Sequence, residues 1–262
     1  MPFVSTIQEL GDQARFTAAF NLEECFRFLF PGTSAVIEPA YLSLVTGEPH
    51  PFGNFGLVSD SKDAASAKVV AEALSKVDAP CLVGFHEEPS PEVAEHLKSC
   101  GFGDPEPMPV MAVEIGKLPA TSLPAGYEFR IAGREDAEPW TQAIVDAFGL
   151  PRSIAEMLSP HRTPPNNEGE QAHFFGVFHG DRAVATSGLY LNGTVAGIYS
   201  VGTIPEARGK GIGAHITAES FRFAGKMGYR VGVLQSSNAG YPVYKRIGFQ
   251  DLGAVPLFFK GL

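Results

Sequence analysis

The densest run of residues able to do chemistry is Arg208-Gly209-Lys210-Gly211-Ile212-Gly213. Glycines at alternate positions let a backbone approach an anion closely, and Arg208 and Lys210 add positive charge. The run follows a β-rich stretch, residues 195–203, through Ile204-Pro205-Glu206-Ala207, and opens a stretch of helical periodicity, residues 211–227. A helix starting there aims its first N–H groups and the positive end of its dipole at the same point. The expected chemistry is capture of a phosphate or diphosphate.

Two phosphate-binding patterns fail on this run. A P-loop requires Ser or Thr after its lysine, and Lys210 is followed by Gly211. A dinucleotide fingerprint requires GxGxxG and an acidic residue closing the next strand. Here Gly213 comes one position early and the next strand ends at Gln235-Ser236.

The run resembles the acetyl-CoA signature of the GCN5-related N-acetyltransferase (GNAT) family: Gln or Arg, two residues, Gly, one residue, then Gly or Ala. Arg208, Gly211 and Gly213 fill it. In that family the signature follows a bulged central strand, for which Gly202 is the expected bulge residue. Asn238 and the string VYKRIGF, residues 243–249, resemble the family's next segment, with Tyr244 four residues before Gly-Phe. The resemblance covers residues 127–262.

It implies an α/β fold with a mixed sheet and an acetyl-CoA or other acyl-CoA co-substrate lying along Val201, Gly202 and Thr203. Backbone groups of Val201 and Thr203 would pair with its pantetheine arm. Arg208, Gly209, Lys210, Gly211, Ile212, Gly213 and Ala214 would hold its pyrophosphate. Asn238 and Tyr244 would lie near the thioester, with Tyr244 as the general acid for the leaving thiolate. The implied reaction is direct attack by an amine in a ternary complex, which needs a neutral nucleophile and a proton for the sulfur.

Many members carry a carboxylate base on the central strand, and residues 195–200, VAGIYS, carry none. The alternatives are Glu168, Glu170, His161, a water chain, or an amine that is already partly deprotonated. Acceptor selectivity is expected from residues 150–171 and from Tyr241-Pro242, with Trp140, Phe148 and His161 as possible contributors.

The elements that must position these residues are legible by period. After the signature's strand and helix come a strand at 230–235 and a short helix at 241–247. Before it, residues 127–132 read as a strand and 134–148 as a helix. Residues 173–179 and 183–191 form a hairpin around Gly180-Asp181-Arg182. The stretch GKLPATSLPAG, residues 116–126, has linker composition, giving domains at 1–118 and 127–262.

In the first domain 64–77 and 91–99 read as helices, and 81–85 and 109–115 as strands. Residues 81–102 repeat the grammar of 230–249: strand, polar loop, short helix, Gly-Phe. The first half is therefore expected to be a degenerate GNAT-like copy in tandem with an intact one. Asp60-Ser61-Lys62-Asp63 stands where the turn would be, and Leu97 where Tyr244 would be. Two carboxylates at a helix start disfavour a pyrophosphate. This half is expected to bind no coenzyme A and instead to shape the acceptor pocket or cover a sheet edge.

Composition narrows the partners. With 44% apolar and 19% charged residues the chain reads as an ordinary globular protein. A net charge of -9 without a basic run argues against nucleic acid. No window approaches the ~18 apolar residues of a membrane span. The three cysteines, Cys25, Cys81 and Cys100, form no CxxC pair and leave one over, which fits a reduced, cytoplasmic setting. The seven histidines lack metal-ligand spacing, so no metal is expected.

The expected partner is a small-molecule amine, met by a monomer or homodimer. A non-catalytic acyl-CoA sensor and a protein lysine or N-terminal acetyltransferase are the other readings.

Overall fold

A computed structural model describes residues 3–31, 33–162 and 171–262. In chain order the elements are α1 (Ala14–Leu29), β1 (Ala35–Ile37), β2 (Tyr41–Val45), β3 (Asn54–Val58), α2 (Ala64–Ser75), β4 (Cys81–Phe85), α3 (Pro91–Ser99) and β5 (Glu106–Glu114). There follow β6 (Tyr127–Ile131), α4 (Ala137–Phe148), α5 (Arg152–Met157), β7 (Ala172–His179), β8 (Arg182–Leu191) and β9 (Ala196–Thr203). The chain closes with α6 (Ile212–Lys226), β10 (Val231–Gln235), α7 (Tyr241–Arg246) and β11 (Gln250–Lys260).

Two compact units form, and their limits differ from the boundary read at the linker. One comprises Met1–Cys25 with Val110–Leu252, the other Phe26–Pro109 with Gly253–Leu262. The difference has a topological cause. Strand β5 follows the first repeat yet pairs antiparallel with β10, and β11 follows the second repeat yet pairs antiparallel with β4. Each repeat thus supplies the last strand of the other's sheet. A linker's composition does not encode that exchange.

In the larger unit the strands run β5-β10-β9-β8-β7-β6, antiparallel except for the parallel pair β9 and β10. The β7–β8 hairpin turns on Gly180-Asp181, with Gly180 at φ 61°. Arg182 joins the strand rather than the turn. Helix α4 buries Ala137, Trp140, Thr141, Ala143 and Ile144, one stripe at helical spacing, and stops at Gly149, whose φ of 69° a side chain would resist. The Trp140 indole donates to the Phe175 carbonyl at 3.0 Å, so this tryptophan is core. Helix α6 covers the other face, with Ile212, Ile216, Phe221 and Ala224 packed among Phe175, Leu189 and Ile198.

The smaller unit has the order β1-β2-β3-β4-β11. Its βαβ step, β3-α2-β4-α3, repeats the order β9-α6-β10-α7. Val70, Leu74, Val83, Phe85, Leu97 and Phe258 form its core. Lys260 ends β11 by donating to the carbonyls of Leu74, Ser75 and Val77 at 2.8–3.0 Å, closing the C-terminal end of α2. Among the described residues no helix is long and apolar enough to cross a membrane.

Candidate functional site

Strand β9 is bulged, but not at Gly202. Its register with β8 steps from Thr186↔Gly202 to Gly188↔Tyr199, so Ser187 alone faces Ser200 and Val201. Ser200 absorbs the extra residue at φ 53°, the only non-glycine with positive φ among the described residues. The Thr186 hydroxyl donates to the displaced Ser200 carbonyl at 2.8 Å. Gly202 answers a different need. A Cβ there would stand 2.6 Å from the Phe148 ring and 2.9 Å from Ala147, so a glycine lets the end of α4 lie against β9.

Beyond the bulge the turn opens outward. Gly209 and Gly211 hold φ of 75° and 77°, and a Cβ on either would meet nothing within 4 Å. Both therefore serve backbone conformation beside open space, the geometry of an anion cradle. The first helical bond of α6 runs from His215 N–H to the Gly211 carbonyl at 3.0 Å. The N–H groups of Ile212, Gly213 and Ala214 precede it and have no acceptor in the helix, and Gly211 brings no side-chain cap. A diphosphate fits this donor set.

The two cations of the turn are bound by the protein itself. Arg208 donates through Nε to the Thr203 carbonyl at 3.0 Å and through its terminal nitrogen to the Ala147 carbonyl at 2.9 Å. It braces the turn against β9 and α4. Lys210 Nζ donates to the Tyr127 hydroxyl at 3.0 Å, beside the Tyr127–His179 ring pair. The amides of Ile212, Gly213 and Ala214 stand beside these two cations at the start of α6.

Strands β9 and β10 pair only at Gly232↔Ala196 and Val233↔Gly197, then run on to Thr203 and Gln235. The parting leaves the backbone of Val201 and Thr203 beyond the paired stretch. After β10 the chain turns through Asn238, which is exposed and two residues before the Gly240 cap of α7. The Ser237 carbonyl receives the N–H groups of Gly240 and Tyr241, leaving Asn238 out of the cap. Tyr244, 8% exposed, packs against Phe249, and burial pushes its phenol well above the ordinary 10.0. It keeps its proton through the neutral range.

Residues 138–249 match the model of the Acetyltransferase (GNAT) family. The C-terminal half carries a GNAT domain. No curated protein matches the chain. A GCN5-related N-acetyltransferase from Kribbella flavida is similar at TM-score 0.64 and 20% identity, over 94% of this chain and 95% of that one. Another from Sphaerobacter thermophilus gives 0.59 at 19%, over 99% and 95%. A tandem GNAT protein from the clavulanic acid biosynthesis pathway gives 0.59 at 13%, over 99% and 97%. At such identities these likenesses concern the fold, a tandem GNAT architecture with a mixed sheet in which only the C-terminal repeat has the signature.

Within the GNAT domain, β9 carries no carboxylate. His161 is exposed, and Glu168 and Glu170 lie outside the described residues. Phe148 is 46% exposed although it continues the apolar stripe of α4. The sequence reading missed α1 altogether. Three contacts tie it to the parting strands: Asn21 Nδ2 to the Val195 carbonyl at 3.4 Å, the Tyr199 hydroxyl to Asn21 Oδ1 at 2.6 Å, and Gln235 Nε2 to the Ala18 carbonyl at 3.0 Å. These partners are 174 to 217 residues apart, beyond any local pattern.

Proposed function

We propose that the protein is an acetyl-CoA-dependent N-acetyltransferase acting on the primary amine of a small or amino-acid-like molecule, with both substrates bound at once. The observation that carries this reading is the turn at 208–214, whose open glycines and three uncapped amides stand at the end of a bulged strand parting from its neighbour. The co-substrate supplies the acetyl thioester. Amides of Ile212, Gly213 and Ala214 receive its diphosphate. Backbone groups of Val201 and Thr203 align its arm, and Asn238 lies near the thioester end.

Tyr244 donates the proton that the departing sulfur requires. Burial keeps this phenol protonated at neutral pH, so the proton is present to be donated. With no carboxylate on β9, the amine binds neutral or loses its proton through water. A cytoplasmic setting, as monomer or homodimer, accords with three free cysteines.

The bare β9 also favours a second reading, a sensor that binds acyl-CoA without turnover. Release of free coenzyme A separates the two. Acetyl-CoA is presented with n-propylamine, spermidine, glycinamide and lysine peptides. Release accelerated by an amine supports the enzyme, and a preference for the peptides marks a protein acetyltransferase. Tight binding with no acceleration by any of them overturns the enzyme in favour of the sensor.

A further inference from the structure

The face of the GNAT-domain sheet opposite α6 holds an acceptor group that the site described above leaves unused. On β10, Leu234 belongs to the α6-side core, and a Cβ on Gly232 would strike the Phe221 ring at 2.5 Å. Gln235, alternating with these, lies on the other face. On β9, Ala196 and Ile198 join the α6-side core, whereas a Cβ on Gly197 would collide with Asn21 Oδ1. Tyr199 shares that face. Val233 pairs with Gly197, so the backbones of Gln235 and Tyr199 lie two residues past the last paired position, while the Tyr199 hydroxyl reaches back over Gly197, where an added Cβ would collide with it.

Helix α1 holds both from one turn. Ala18 fixes Gln235 and Asn21 fixes Tyr199. The Asn21 amide is oriented by its own donation to the Val195 carbonyl, so Oδ1 receives the Tyr199 proton. Gln235 is oriented in the same way, because its NH2 is committed to the Ala18 carbonyl. Its Oε1 is buried and has no hydrogen-bond partner among the described residues. A buried acceptor without a donor costs stability and calls for an explanation.

We propose that Gln235 Oε1 receives the N–H of the acceptor amine, and that α1 presents it. The proposal rests on the acetyltransferase reading. Gln235 is a binding group for the nucleophile and takes no proton, since an amide oxygen is not a base at neutral pH. A ligand with N–H donors satisfies the empty acceptor, and one without them does not.

The test is Gln235→Met, similar in length but without the amide. It is measured with the best amine of the panel, with acetyl-CoA by calorimetry, and by thermal melting. The expected result is an amine KM at least tenfold higher, kcat within threefold, acetyl-CoA affinity within twofold and an unchanged or higher Tm. An unchanged KM beside active wild type overturns the subsite and leaves the acetyltransferase reading standing. A Tm lowered in step with activity makes Gln235 structural and also overturns it. If no amine accelerates coenzyme A release from the wild type, the acetyltransferase reading falls first and the subsite with it. Should Gln235→Met fail to fold, the side-chain amide resonance of Gln235 is followed in the wild-type coenzyme A complex as n-propylamine is added. A shift supports the subsite, and no shift overturns it.

Discussion

The Arg208 guanidinium bonds to the Ala147 carbonyl at 2.9 Å, joining the start of the signature turn to the last turn of α4, 61 residues earlier. That carbonyl belongs to the negative end of a helix, where a cation is favoured, and the second bond to Thr203 locks the fork in place. Arg208→Lys keeps the charge but cannot span both carbonyls. Because the site is exposed, the loss of stability is modest, about 1 kcal/mol. Acetyl-CoA binding should weaken several-fold in calorimetry, and Lys should rescue it no better than Met does. Full rescue by Lys would show that charge, and not the fork, is what the turn needs.

Gly211→Asp should abolish acetyl-CoA binding while leaving the fold intact by circular dichroism. The other repeat carries a carboxylate at the corresponding helix start. At the start of α2, Asp63 accepts from the Ser66 N–H at 3.1 Å and its hydroxyl at 2.7 Å, and these bonds hold its carboxyl below the ordinary range. A carboxylate already fills that helix end. Calorimetry on a Gly211→Asp, Arg208→Glu variant checks the assignment, and retained affinity would place the cofactor elsewhere.

Tyr244→Phe should lower kcat by roughly 10- to 1000-fold, the span of a lost acid with water as partial substitute, and leave acetyl-CoA affinity within about twofold. Equal losses in both would make the hydroxyl a binding group.

Stability should decline at high pH, and the sign follows from burial. The phenols of Tyr190, Tyr199 and Tyr244 are all raised above 10.0, chiefly by desolvation. Above pH 10.0 the unfolded chain releases protons that the folded chain keeps, so the contribution is full below that point and is lost as pH rises past it. Urea denaturation at about pH 8 and about pH 10.5 measures the fall, and Tyr244→Phe should make it shallower.

Gly202→Val should destabilise the larger unit by about 1–3 kcal/mol, because the new side chain meets Phe148 and Ala147 in a packed contact. Thr186→Val, which removes the donor to the Ser200 carbonyl, should cost about 1 kcal/mol and raise the KM for acetyl-CoA. Thermal melting separates the two, since only Gly202→Val presses on α4.

Much of the C-terminal half is local in origin and therefore legible. Alternation and turn chemistry mark β7 and β8 around Gly180-Asp181, and the period of α6 follows from Ile212, Ile216, Phe223 and Met227. The bulge was expected one element correctly and two positions too late. A glycine was the natural suspect, yet it is packing with α4 that requires Gly202, while Ser200 takes the strained backbone. Helix α1 was missed because apolar residues lie on most of its sides, among them Phe16 and Phe20, both partly exposed, so no single stripe announces a period.

The sequence by itself marks the turn: three glycines between a strand and a helix set a backbone conformation whose free donors belong to the main chain. It also shows that the first repeat has no such glycine run and has Asp63 at the start of its helix. Only the tertiary structure decided that Arg208 bonds to the end of α4, that β5 and β11 exchange sheets, and that Ala18 and Asn21 reach Gln235 and Tyr199. Those contacts join residues up to 217 positions apart. Their partners are chosen by which faces must be buried together, and periodicity within a single element carries no record of that choice.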